Sequence, residues 1–171
     1  MELKYRMYLV VNSLKGINTG IQFGHAVVEY GNEYYNTSEY KKWTLIDKTF
    51  IVLNGGTTRE MEETIEDAGT LNQHVNLLRD NNIKIGRFWE PDLNNSLTAV
   101  VFLVDERVWN YKEYDSFEGY LIKKNNYDIS DSFNSKPFKE IYTEDYNEWL
   151  ELIGGKQNEF LKEFLYKFKL A

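Results

Sequence analysis

Two stretches of this 171-residue chain carry residue types that could do chemistry. The first is "NTGIQFGHAVVEY", residues 18–30. Placed on a helix, Asn18, Gln22, His25 and Glu29 recur at spacings of four, three and four, which makes one continuous polar stripe. Phe23, Val27 and Tyr30 fall elsewhere on the cylinder. Gly20 and Gly24 lie four apart on a helix that glycine weakens by roughly 1 kcal/mol each, so close approach of a neighbour or a ligand is expected. Asn18 and Thr19 sit at the helix start, where unpaired amides point outward and favour anions. A solvated helix face, with His25 merely exposed, explains the stripe more simply when it is taken alone.

The second stretch is "GRFWEPDLNNSLTAVVF", which sets Arg87, Phe88, Trp89, Glu90, Asp92, Asn94 and Asn95 between two strand-like runs. Ligand sites in α/β sheets gather in loops at strand ends. Phe88 or Trp89 suits stacking on a base, Arg87 suits a phosphate, and Glu90, Asp92 and the two Asn side chains suit ribose hydroxyls or an amino group. A tight turn reads equally well, because Pro-Asp and Asn-Asn are turn formers and Trp89 can be core.

These stretches need a scaffold. "YRMYLVVN" (5–12) and "TFIVL" (49–53) are near-continuous apolar runs, as buried strands require. A helix is expected over 19–35, with a polar connector over 36–48. "NGG" breaks the chain, and a long helix follows from Thr57, opened by a Thr57/Glu60 capping box. Its core stripe is Met61, Ile65, Ala68, Leu71, Val75 and Leu78, with His74 on the solvent side. Strands over 83–89 and 97–104 complete a β-α-β-α-β-β order. The fold class expected is α/β: a small mixed four-stranded sheet with flanking helices, formed by residues 1–104. Residues 105–171 form an extension packed on that core. It is loop-like and aromatic up to 137, then has helices at 143–153 and 156–169 whose apolar side is Trp149, Leu152, Phe160, Phe164 and Phe168.

Composition narrows the function classes. The net charge is −7, with 10 basic and 13 acidic residues up to position 104 and 10 and 14 after it. Neither part has the clustered Lys and Arg of phosphate-backbone binding, so a tRNA partner is disfavoured. A small anionic ligand held by one or two cations and backbone amides remains open. Cysteine is absent, which excludes disulfides, thiolate metal sites and thiol nucleophiles. No ligand cluster for a metal, no Walker-type phosphate loop and no serine elbow is present, and no cofactor is expected. No apolar run approaches the roughly 20 residues of a membrane span, so a cytoplasmic protein is expected. Plentiful Asn, Lys, Ile and Tyr fit AT-rich coding DNA, as in some viruses and bacteria.

The order of elements and motifs resembles the type-two peptidyl-tRNA hydrolases over residues 5–104. That family opens on a strand, a Lys- and Gly-rich loop and a helix carrying Gln, His and Ala; here the run is "LVVNSLKGINTGIQFGHA", with Gln22, His25 and Ala26 matching. Thr98 opens the last strand as in the family. The resemblance implies a mixed four-stranded sheet, a pocket between the first helix and the 87–95 loop, and often a dimer. Two positions depart from the family. Asn18 stands where the family has its functional lysine, and "EPDLNN" replaces the family's Asp-Ala-Gly-Arg-Thr-Gln loop, leaving Glu90 at the Asp position. The expectation is a fold that keeps its pocket and loses its reaction. It would bind and sequester a nucleotide-type ligand, such as a cyclic nucleotide or an ADP-ribose-derived immune signal, as short viral anti-defence proteins do. An active peptidyl-tRNA hydrolase using His25 and Glu90, and a protein-binding inhibitor acting through the extension, are the alternatives.

Overall fold

The computed structural model describes residues 3–11, 17–58, 70–125 and 138–168. Four strands form one mixed sheet in the order β2-β1-β4-β3: β1 (Tyr5–Val11), β2 (Thr49–Asn54), β3 (Gly86–Glu90) and β4 (Ser96–Asp105). β1 runs parallel to β2 and antiparallel to β4, which pairs antiparallel with β3. The α/β class with flanking helices is therefore as expected. The two central strands read as unbroken apolar runs because both their faces are covered. Met7, Leu9 and Val11 face helix α1 (Ile17–Tyr34), alongside Ala26, Tyr30 and Trp43. Tyr8 and Val10 face the other way, into a core shared with Leu71, Val75 and Leu78 of α3 (Thr70–Asp80) and Leu161 and Phe164 of α8 (Lys156–Tyr166). The result is three layers, and the C-terminal helix α8 supplies part of the central one's packing.

Several expectations are corrected. Residues 36–48 are helical: α2 (Ser38–Lys42) runs into a π-helical turn, Trp43–Asp47. Thr37 caps it by accepting from the Tyr40 amide at 3.3 Å. This short helical stretch buries only Trp43, so its sequence carries no amphipathic period and reads as a connector. The part of the extension read as loop holds α4 (Glu106–Trp109) and α5 (Phe117–Asn125), and α6 (Phe138–Ile141) precedes α7 (Thr143–Ile153). In α7, Leu152 faces solvent while Trp149, Leu150 and Ile153 are buried. Thr58 is not helical. Thr57 instead lies beside the start of α3, where its carbonyl accepts from the Leu71 amide at 3.0 Å. The capping-box Glu60 and the core positions Met61, Ile65 and Ala68 lie outside the described residues. His74 is half-buried, its ring 4.7 Å from that of Phe168 and 5.7 Å from that of Phe164. Burial, then the charge of Lys167, pushes its imidazole below the ordinary value. Among the described residues, no helix is long and apolar enough to cross a membrane.

A polar site between the first helix and the third strand

The stripe on α1 is the flank of the helix that runs along β3. Gln22 is buried at its centre, and its amide is read from both sides. Thr98 Oγ1 donates to Gln22 Oε1 at 2.6 Å, and Gln22 Nε2 donates to Glu90 Oε2 at 2.5 Å. The second Glu90 oxygen accepts from the Asp92 amide at 3.4 Å, which caps the 3-10 turn Pro91–Leu93. The Glu90 carboxylate is thus held from two directions. One turn further along α1, His25 lies on Phe88, the rings stacked 4.3 Å apart at 18°. Beyond that, Glu29 and Glu33 line an open groove of about 400 Å³ with Arg87 and Trp89. Helix and strand therefore run in opposite directions, Gln22 meeting Glu90 and His25 meeting Phe88, while Glu29 and Arg87 line the same groove.

Thr98 reaches Gln22 because of a β-bulge. The register of β3 on β4 shifts between Phe88, paired with Ala99, and Trp89, paired with Leu97. Along β4, side chains alternate down to Val100 on the α3 face and Ala99 on the α1 face. Simple alternation would send Thr98 back towards α3. The extra residue keeps it on the α1 side and drops Leu97 into the α3 core instead. A threonine inside "LTAVVFLV" is the one sequence signal for this position, because a hydroxyl buried in a core strand must find a partner.

The remaining candidates are placed as follows. Asn18 is exposed and Thr19 half-buried on the first turn of α1. Trp89 packs against the core on the α3 side, across the sheet from Phe88. Asp92 is exposed on the turn. Asn94 and Asn95 both take left-handed conformations, with φ of 52° and 53°, and so serve as turn residues. The structure brings together Gln22, His25, Phe88 and Glu90, adds Thr98, and leaves Trp89 outside the group. Among the described residues, no group of three or more His, Asp or Glu is placed to hold a metal ion. Chemically, the site offers a fixed carboxylate, a buried amide and an exposed imidazole on a ring platform.

No family model matches the chain, and no curated protein matches it.

Proposed function

We propose that this site binds a small nucleotide-type ligand and holds it without reaction. The observation that carries the reading is the Thr98–Gln22–Glu90 chain, which turns a fixed carboxylate towards the rim where His25 lies on Phe88. Glu90 suits ribose hydroxyls, the outward face of the His25 ring suits a base, and the first amides of α1 at Asn18 and Thr19 suit a phosphate. The stripe from Asn18 to Glu29 covers twelve residues, or about 16 Å of helix from first to last. That length favours a two-base or two-ribose ligand over a mononucleotide. No lysine stands at Asn18, so the electrostatic stabilisation that ester hydrolysis needs is missing from that position. By analogy, sequestration of a cyclic nucleotide or ADP-ribose-derived immune signal would be the biological role, and divergence from the type-two peptidyl-tRNA hydrolases its origin.

The test is capture and release. The protein is mixed with cyclic dinucleotides and ADP-ribose-derived signals, free ligand is measured by mass spectrometry, and the measurement is repeated after heat denaturation. Loss followed by return of the unchanged compound supports the reading; return as a product overturns it. One observation favours a second reading, an active peptidyl-tRNA hydrolase: the orienting amide on Glu90 is what a general base needs. Turnover of peptidyl-tRNA that disappears in His25→Ala and Glu90→Ala would establish it.

A further inference from the structure

Three segments far apart in sequence close one cavity on the α3 side of the sheet. β2 runs out into Asn54-Gly55-Gly56, α3 brings Gln73, His74 and Leu77, and the end of α8 brings Phe164, Lys167 and Phe168. The volume is about 490 Å³, in the range of small-molecule sites. The Gly55 amide donates to the Val11 carbonyl at 2.6 Å, so the cavity lies at the carboxyl ends of the parallel pair β1 and β2. Ligands of α/β sheets gather at that end of the strands. Thr70 fixes the rim: its hydroxyl donates to the Gly55 carbonyl at 2.8 Å and accepts from the Thr57 amide at 2.9 Å. The site between α1 and β3 lies on the other face of the sheet.

Its chemistry differs from that of the surface around it. Leu77, Phe164 and Phe168 give apolar walls, and Lys167 gives a permanent positive charge. Among the described residues that line it there is no Asp or Glu. Three other cavities each carry acids: Glu39 and Asp105 in one, Glu118, Glu159 and Glu163 in another, Glu29 and Glu33 in the third. In a chain of net charge −7, a cavity of positive sign selects for anions. His74 adds a conditional charge. Its Nδ1 is buried with no hydrogen-bond partner among the described residues, so a proton there buries an unpaired N–H. Burial, then Lys167, holds the ring below its ordinary value; the described lining from α3 and from the end of β2 adds no other charged group. We propose that this cavity binds a small organic monocarboxylate with an aromatic or branched aliphatic body, the carboxylate between Lys167 and His74 and the body on Phe164 and Phe168. One permanent cation matches one negative charge, and the imidazole supplies a hydrogen-bonding partner to the second oxygen. The anion in turn favours the imidazolium, so uptake of the acid draws a proton onto His74 and binding strengthens as pH falls. The inference does not depend on the nucleotide reading of the α1 site.

Isothermal titration calorimetry of the full chain tests it, with 3-phenylpropanoate as the probe and neutral 3-phenylpropanamide as the control. The acid should bind saturably and the amide about tenfold more weakly, since it lacks the charge. An acetylated tripeptide ending in phenylalanine carries the same carboxylate; whichever of the two acids binds more tightly identifies a free acid or a peptide end as the source. Titration in two buffers of different ionisation enthalpy, near the ordinary histidine value of 6.5, should show net proton uptake. His74→Phe keeps the ring packing on α8 and should abolish that uptake. Lys167 is exposed, so Lys167→Gln should leave the fold intact and weaken binding about fivefold. Equal affinity for acid and amide, binding by neither acid, binding without proton uptake, or wild-type affinity in Lys167→Gln would each overturn the proposal.

Discussion

Two buried polar networks flank the sheet, and they spend their hydrogen bonds differently. On the side of α8, Lys162 is buried and donates to the Val108 carbonyl at 3.2 Å and the Tyr114 carbonyl at 2.8 Å, with the Tyr111 ring 4.3 Å from its ammonium. Beside it, Asp105 caps α4 through the Arg107 amide at 2.9 Å and accepts from the Arg107 side chain at 3.1 and 2.8 Å. Asn158 joins Asp105 at 3.0 Å and the Ile153 carbonyl at 2.7 Å. The two Lys162 bonds and the Asn158–Asp105 bond tie α8 to the end of β4 and the chain after it, the Arg107 bonds brace the turn from β4 into α4, and the Asn158–Ile153 bond joins α8 to α7. In the α1 network the last member is a carboxylate at the rim, next to an exposed imidazole. A network that closes on backbone carbonyls and helix ends builds structure; one that stops at a half-buried carboxylate keeps hydrogen-bonding capacity for something else.

Substitutions can break that contrast. The largest effect is expected for Phe164→Ala, which empties a core position shared by β4, α3 and α8. It should cost about 3–5 kcal/mol in urea unfolding, and an unchanged midpoint would show α8 to be a dispensable appendage. Lys162→Met should come next. It strands two carbonyls for about 1–3 kcal/mol at neutral pH, offset in part by removing a buried charge. Burial pulls this lysine down to about 8. Between that value and the ordinary 10.5 the unfolded chain binds more protons, so this group's contribution to stability rises with pH. The methionine variant should lose that rise, and a parallel pH profile for the two proteins would argue against it. Gln22→Ala should cost about 1–2 kcal/mol, because Thr98 and Glu90 lose their common partner, and should lower ligand capture tenfold or more. Capture at wild-type strength would remove Gln22 from the site. His25→Ala should change stability least, within about 0.5 kcal/mol, yet still weaken capture. If it destabilised the fold as much as Gln22→Ala, the imidazole would belong with the structural network.

Much of this architecture was legible in the sequence, for identifiable reasons. β1 and β4 announce themselves because strands buried on both faces are apolar throughout. The α1 stripe was legible as a period, but its three environments were not. Whether Gln22 is buried, His25 stacked or Glu29 on a groove depends on where β3 runs, which no local spacing encodes. Trp89 and Phe88 are adjacent in sequence, and only strand alternation tells that they serve opposite cores. His74 reads as a surface residue from its polar neighbours, yet α8 arrives from ninety residues away to cover it. Thr98 was the hardest to place, since alternation assigns it to the wrong face.

That bulge makes β4 sensitive to length as well as to composition. Ser96 to Asp105 is a strand whose two halves are out of phase by one residue, and the phase change falls at the site. Removing Ala99 would let the pleat run uninterrupted: Thr98 would take Ala99's place opposite Phe88, still on the α1 face, and Leu97 would keep its pairing with Trp89 and its place in the α3 core. Every remaining side chain would keep its face, yet the Thr98 hydroxyl would shift along the strand by one residue rise, about 3.4 Å, and its bond to Gln22 would be lost. Relatives of this chain that keep the function should therefore tolerate changes of residue type at positions 97 to 99 far better than a change in their number.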